Sequence, residues 1–386
     1  VVTVDIALAN RWLVSTVAQQ QLDAVPKVRQ IIEANEAAEE PPGPKQPFRI
    51  HRISIWSPPG WFGRIATDQD EEVSRWEMDT LQPKYGLLKF GDLDRISYTI
   101  NEGAMEPYDY WWFFAPFYSN TTREPRSIVY YPMRGFDMWG AKYFVLPHAA
   151  DDKDQYRGIR SFLMHSRLIE ESEWQADDFQ VRRNDSCFPR ARIVHRVIYR
   201  SPIHGLAKAD RTNRMREILY PGFDGYWLER ELEGMVENPR EVAWIEHPDP
   251  GYVASLPAPA SDSDADRCQI VRYEPDRVEV DVETSARGVM VLADLFFTGW
   301  EVTVDDKPVE ILRANRIMRG VAIGPGKHRV VFVYRPLSFR VGGLITLLSL
   351  AATTIALAFS WMRSRRQSPQ ATSSSDAGIP SRGATD

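Results

Sequence analysis

Cysteine is scarce: two residues in 386, Cys187 and Cys268. That excludes a disulfide-rich scaffold and a four-thiolate zinc site. The two lie in different expected domains, which argues against a bridge between them. Seven histidines (51, 148, 165, 195, 204, 247 and 328) are scattered, with no HExxH spacing to hold a metal. There is no GxxxxGK[ST] loop, no GxGxxG after a strand and no GxSxG elbow. A basic excess is also missing. Lys and Arg number 47 against 53 Asp and Glu, a formal net charge of −6, so no broad nucleic-acid face is expected. The chain starts at Val1 without a charged leader, and its first residues read as the continuation of a missing upstream membrane segment.

What is present is 43% hydrophobic and 11% aromatic residues, enough for a sizeable core. The acidic runs Asp68-Gln69-Asp70-Glu71-Glu72 and Glu170-Glu171-Ser172-Glu173 read as solvated faces. Asp151-Asp152-Lys153-Asp154 lacks the glycine and distal glutamate of a calcium loop. Asn120-Thr121-Thr122 is a formal glycosylation sequon, a pattern too short to decide anything alone. No catalytic residue, metal site or cofactor site is expected in this chain.

The mean hydropathy of −0.38 hides one very apolar segment. Val341 to Met362 runs for 22 residues without a charge. At about 1.5 Å per residue such a helix spans about 33 Å, against about 30 Å of hydrocarbon. Trp361 stands where an interfacial anchor is expected. Arg363, Arg365 and Arg366 follow, which predicts a cytoplasmic C-terminus and an extracytoplasmic residue range of 1–340. Gly342, Thr346, Ser349, Thr353 and Ser360 recur at helical spacing. Two readings of that stripe stand open: close approach of upstream transmembrane helices, or hydroxyls bonding back to their own helix. Residues 363–386 are rich in Ser, Pro and Gly and are expected to form a disordered cytoplasmic tail.

Upstream, residues 1–39 read as a helical lead-in, and the Pro-rich stretch 40–44 interrupts it. Residues 40–249 mix strands and helices and predict an extracytoplasmic α/β domain. Phe48 to Trp56 alternates with period two, as a half-buried strand does. From Tyr108 to Tyr118, eight of eleven residues are aromatic. They form either a buried helix face or a surface for sugar rings and lipid headgroups. In the second case the exposed members of Trp111, Trp112, Phe113 and Tyr118 are the glycan or headgroup contacts. Residues 250–264 read as a boundary. Beyond it, seven short Val-, Ile- and Phe-rich runs between turn signals predict a β-sandwich over 265–336, leading almost directly into the helix at 341–362. The fold class is therefore α+β: a mixed domain, an all-β sandwich and one C-terminal transmembrane helix.

Three segments together resemble the YfhO-like family of bacterial membrane proteins. Trp139-Gly140-Ala141-Lys142-Tyr143-Phe144-Val145-Leu146 is similar to its "gvKYvl" strand. Asn184 followed by Phe188-Pro189-Arg190-Ala191-Arg192-Ile193-Val194 is similar to its "N…lPRA…V" segment. The longest match runs from Asp294 through Gly299-Trp300 and Asp305-Asp306-Lys307-Pro308, then Arg313-Ala314-Asn315, Gly326-Lys327-His328 and Tyr334-Arg335-Pro336. It departs from the family pattern at Asp306, where a glycine is usual. The resemblance covers roughly residues 135–362. It implies a polytopic membrane glycosyltransferase that uses a polyprenyl-phosphate-linked sugar to modify a cell-envelope glycan or polymer, with its catalytic residues outside this chain. Partners so implied are the bilayer, upstream transmembrane helices, a lipid-linked donor and a glycan acceptor, with no nucleic acid. The alternative is a single-pass, non-catalytic envelope protein that binds a glycan or a protein. In the matched region Gly299 suits a turn with positive φ, Trp300 a place in the sandwich core, and Asp305-Asp306 a hairpin turn.

Overall fold

The computed structural model describes residues 25, 27–38, 46–52, 97–99, 108–114, 117–119, 128–130, 133–147, 159–169, 179–203, 208–219, 237–256 and 266–366. Two units emerge, Val1–Tyr334 and Arg335–Asp386. The first 24 residues of the lead-in, the sequon at Asn120 and the acidic runs lie outside the described residues.

In the first unit a four-stranded sheet has the order β1-β4-β6-β5. Its strands are β1 (Arg49–Arg52), β4 (Ala141–Pro147), β6 (Phe179–Arg183) and β5 (Arg167–Leu168). β1 runs parallel to β4, and the other pairs are antiparallel. Helix α3 (Met133–Trp139) enters β4 through Gly140, whose φ of +80° is the left-handed conformation that ends a helix at low cost. A large core forms around these elements. Phe113 and Phe114 of helix α2 (Tyr108–Phe114), Phe136 of α3, Phe144 of β4 and Phe162 of helix α4 (Ile159–His165) lie with ring centroids 5.0–5.9 Å apart in consecutive contacts. His51 is stacked on Phe162 at 5.2 Å and bonded to Thr99 at 2.6 Å. Burial first, then neighbouring Arg52, pushes His51 down to about 3, so it is a neutral core residue at pH 7. Helix α1 (Lys27–Ala38) joins this core through Val28, Ile31 and Ile32, whose spacing puts them on one helical face. A two-stranded ribbon pairs β2 (Phe117–Ser119) with β3 (Ile128–Tyr130).

The sandwich is larger than the sequence suggests. Its five-stranded sheet, ordered β10-β11-β17-β13-β14, comprises β10 (Arg267–Tyr273), β11 (Arg277–Thr284), β17 (Gly326–Tyr334), β13 (Trp300–Val304) and β14 (Lys307–Val309). Facing residues Val278, Val280, Val282, Val302, Val330 and Phe332 fill a second core. The other sheet has six strands in the order β7-β12-β16-β15-β9-β8. β12 (Gly288–Leu295), β16 (Met318–Ile323) and β15 (Leu312–Ala314) fall in the predicted sandwich. β7 (Ala191–Val194), β8 (Arg196–Arg200) and β9 (Val242–Glu246) come from the predicted α/β domain.

The boundary expected across 250–264 therefore separates two styles of sequence rather than two sheets. β7 pairs with β12 from Val289↔Val194 to Leu292↔Ala191, and β9 pairs with β15. The physical reason is visible in β12. Val289, Val291 and Ala293 face the large core, while Met290 and Leu292 face the sandwich core. A strand covered on both faces reads as a continuous apolar run and belongs to the middle of a sheet. Helices α5 (Lys208–Leu219) and α6 (Pro250–Ala254) are the remaining described helices of the first unit.

The predicted turns are present. Asp305 and Asp306 have φ of 50° and 64° between the paired residues Val304 and Lys307, a two-residue hairpin turn with both φ positive. Gly299 has φ +100°. Trp300 packs against the sandwich core.

In the second unit helix α7 (Leu337–Arg366) starts four residues before the predicted apolar span and continues through Arg366, where a disordered tail was expected from residue 363. Its apolar part, Leu337–Arg363, is 27 residues long with none of its most apolar window buried, and by length and composition it can cross a membrane. At about 100° per residue, Gly342, Thr346, Ser349, Thr353 and Ser360 fall within an arc of about 60°. Thr346 and Thr353 donate to the carbonyls of Gly342 and Ser349 at 2.9 and 2.8 Å, the back-bonding expected of hydroxyls in an apolar setting.

Candidate functional site

The aromatic run Tyr108–Tyr118 divides on folding. Phe113 is fully buried against Phe114 and Trp139, so it offers no surface to a glycan or headgroup. The side chains of Trp111, Trp112 and Tyr118 lie outside the described residues. Asp109 of the same helix accepts an ion pair from Arg316 at 2.8 Å. Arg316 is 1% exposed, has φ +69° and also donates to Glu246 Oε2 at 2.6 Å. Beside it, Asn315 donates its N–H to the Trp244 carbonyl at 2.7 Å and accepts the Trp244 N–H on Oδ1 at 3.1 Å. Asn315 thus continues the pairing with β9 through a turn, using its side chain where a strand would use backbone. That is the structural content of the Arg313-Ala314-Asn315 motif.

The other two motifs and the start of the third meet around one carboxylate. Asp294 leaves the end of β12 and takes Arg49 Nη2 at 2.6 Å, Arg190 Nε at 3.0 Å and Arg319 Nη2 at 3.2 Å. The Tyr273 hydroxyl lies 3.2 Å from the same carboxylate and accepts from Arg190 Nη2. Each guanidinium is stacked on an aromatic ring: Arg49 on Trp139 at 4.2 Å, Arg190 on Tyr273 at 4.1 Å and Arg319 on Trp300 at 3.9 Å. The four charged side chains are buried, whereas Tyr273 is 41% exposed and forms the outer side of the cluster.

The electrostatics follow from that geometry. Burial alone would raise the Asp294 carboxyl, but Arg190, Arg49 and Arg319 outweigh it and hold it far below the usual carboxylate range. Burial, then repulsion from Arg190, pushes Arg49 down to about 10 despite Asp294, so it stays charged at pH 7. Three cations surround one anion, and Nη1 of Arg190 and Nε and Nη1 of Arg319 are buried without a hydrogen-bond partner.

Nearby, Asn184 of the second motif donates to Asp137 Oδ1 at 2.6 Å and to the Ala141 carbonyl at 3.0 Å, tying that segment to the first. His165 lies 3.0 Å from the same carboxylate. Cys187 and Cys268 are free, and burial raises each thiol to about 12. Among the described residues no group of three or more His, Cys, Asp or Glu could hold a metal ion.

Arg49, Tyr273 and Arg319 were not singled out from the sequence as site residues. A signal exists for Arg319, which alternates in phase with the core residues Val321 and Ile323 of β16. Searches of curated proteins and of solved structures returned no match. Residues 255–346, which contain every strand from β10 to β17 and the first turns of α7, match the family model "Bacterial membrane protein YfhO".

Proposed function

We propose that this chain is the C-terminal, membrane-anchoring part of a polytopic glycosyltransferase that takes sugar from a polyprenyl-phosphate donor and modifies a cell-envelope glycan or polymer. In this reading residues 1–340 are extracytoplasmic and hold the acceptor, while the catalytic groups belong to membrane-embedded segments elsewhere in the protein. The tail after the helix is cytoplasmic, as the flanking Arg363, Arg365 and Arg366 favour. The observation that carries the proposal is the span of the family match. It runs from the sandwich into an apolar helix that begins at Leu337. The arc of Gly342, Thr346, Ser349, Thr353 and Ser360 supports it, because small residues let neighbouring helices approach. Trp111, Trp112 and Tyr118 remain the proposed glycan or headgroup contacts.

The test is sugar transfer from radiolabelled polyprenyl-phosphate donors by the intact protein in membranes. Transfer to an envelope polymer supports the reading. If no donor yields product, the protein is instead an envelope binding protein. Impermeant labelling of single cysteines placed in the sandwich of intact cells checks the orientation independently.

A further inference from the structure

The cluster around Asp294 carries more positive charge than its fold requires. Arg49, Arg190 and Arg319 converge on a single carboxylate, and the four side chains are between 3 and 6% exposed. Three guanidiniums against one carboxylate leave two positive charges in excess. Buried ions are expensive unless opposite charge answers them. The stacked rings of Trp139, Tyr273 and Trp300 offset part of the repulsion, but they accept no N–H in the plane of a guanidinium. Arg190 Nη1 and Arg319 Nε and Nη1 therefore stand buried and unused. Such donors normally find a partner in a native protein.

The cluster also has an outer side. Tyr273 is 41% exposed, and its hydroxyl links Asp294 and Arg190. We infer that this cluster is an anion site that takes a phosphate dianion, either free or as the headgroup of a phosphomonoester lipid, entering past Tyr273. Its two charges match the excess. Its tetrahedral oxygens can accept charge-assisted hydrogen bonds from the unused donors of Arg190 and Arg319. A monoanion such as chloride or acetate answers half of the excess and is a poorer ligand. The site does not depend on the transferase reading, and it stands or falls by binding alone.

The test is equilibrium dialysis of radiolabelled inorganic phosphate against the full chain in detergent, at constant ionic strength set with chloride. Saturable binding is expected. Arg319→Gln should weaken it about tenfold or more, the loss of charge-assisted hydrogen bonds. Arg319→Lys keeps the charge but loses the separate Nε and Nη1 donors and should also weaken it, which serves if the Gln variant fails to fold. Arg329→Gln removes an equal charge from an exposed position and should leave binding unchanged. Phosphatidic acid in nanodiscs identifies the source: displacement of bound phosphate assigns a lipid headgroup, and persistence assigns free phosphate. Absence of saturable binding overturns the inference. So does wild-type binding in both Arg319 variants, or a loss in Arg329→Gln as large as theirs.

Discussion

The clearest test of the buried cluster is Asp294→Asn in phosphate-free buffer. Asparagine has the same shape, so the perturbation is the loss of one negative charge and of one of the two accepting oxygens. Arg49, Arg190 and Arg319, now 2.6–3.2 Å from a carboxylate, would then sit together with no anion, and the amide NH2, a donor, would face a guanidinium in place of one accepting oxygen. Breaking a buried ion pair by removing one partner costs about 3–5 kcal/mol, and three stranded cations place this case at about 4–5 kcal/mol. Adding Arg319→Met restores part of the balance while keeping an apolar chain on Trp300, so the double variant should be about 2–3 kcal/mol less destabilised than the two single losses combined. Thermal unfolding of the full chain in detergent, followed by tryptophan fluorescence, measures both. Trp139 and Trp300 lie directly under Arg49 and Arg319 and report on the cluster itself. The pH dependence has a definite sign. Asp294 is depressed in the folded state, so its contribution is complete above the unfolded value of about 3.9 and is lost only as pH falls through the folded value below it. The gap between wild type and Asp294→Asn should stay constant from pH 8 to pH 5. Strict additivity in the double variant, or a gap that closes within that range, would refute the account of the cluster.

Gly288→Ala tests the joining of the two sequence regions in one sheet. Its Cβ would meet the Val194 carbonyl at 2.7 Å and His195 Nδ1 at 3.0 Å, so a loss of about 1–3 kcal/mol is expected, with faster proteolysis between residues 191 and 200. His328 is raised mainly by its hydrogen bond to Asp305 at the β13–β14 hairpin. The stability it lends is full below an unfolded value of about 6.5 and disappears as pH rises through the higher folded value. NMR titration should show an elevated His328 that returns toward about 6.5 in Asp305→Asn. Cys187 and Cys268, both pushed to about 12 by burial, should resist iodoacetamide at pH 8 and react fully once the chain is denatured, as mass spectrometry would record.

The elements that period and turn chemistry specify were legible in the sequence. The strands of the five-stranded sheet, the Asp305-Asp306 turn, the positive φ at Gly299 and the apolar helix all follow from local pattern. β15 escaped because it is three residues long and contains Arg313, and because Asn315 extends its pairing through a turn with one backbone and one side-chain hydrogen bond. The partners of β7 and β9 escaped for a different reason. Local pattern identifies a strand but not its neighbour, and Val194 meets Val289 across 95 residues. Only the unbroken apolar run of β12 carried the information that both of its faces are covered.

The buried arginines show where such reading can be sharpened. Arg49 and Asp294 are 245 residues apart, so no spacing rule could join them. Yet Arg319 keeps step with Val321 and Ile323, and side chains two apart on a strand share a face. A cation in phase with a core must meet an anion or a ring inside, since an unanswered buried charge would unfold the strand that carries it. Asp294 obeys the same rule, two residues beyond the core residue Leu292 on β12. Two opposite charges, each in phase with the same apolar face on paired strands, are therefore a physical signature of a buried cluster. Here that signature also marks the place where the three motif segments meet.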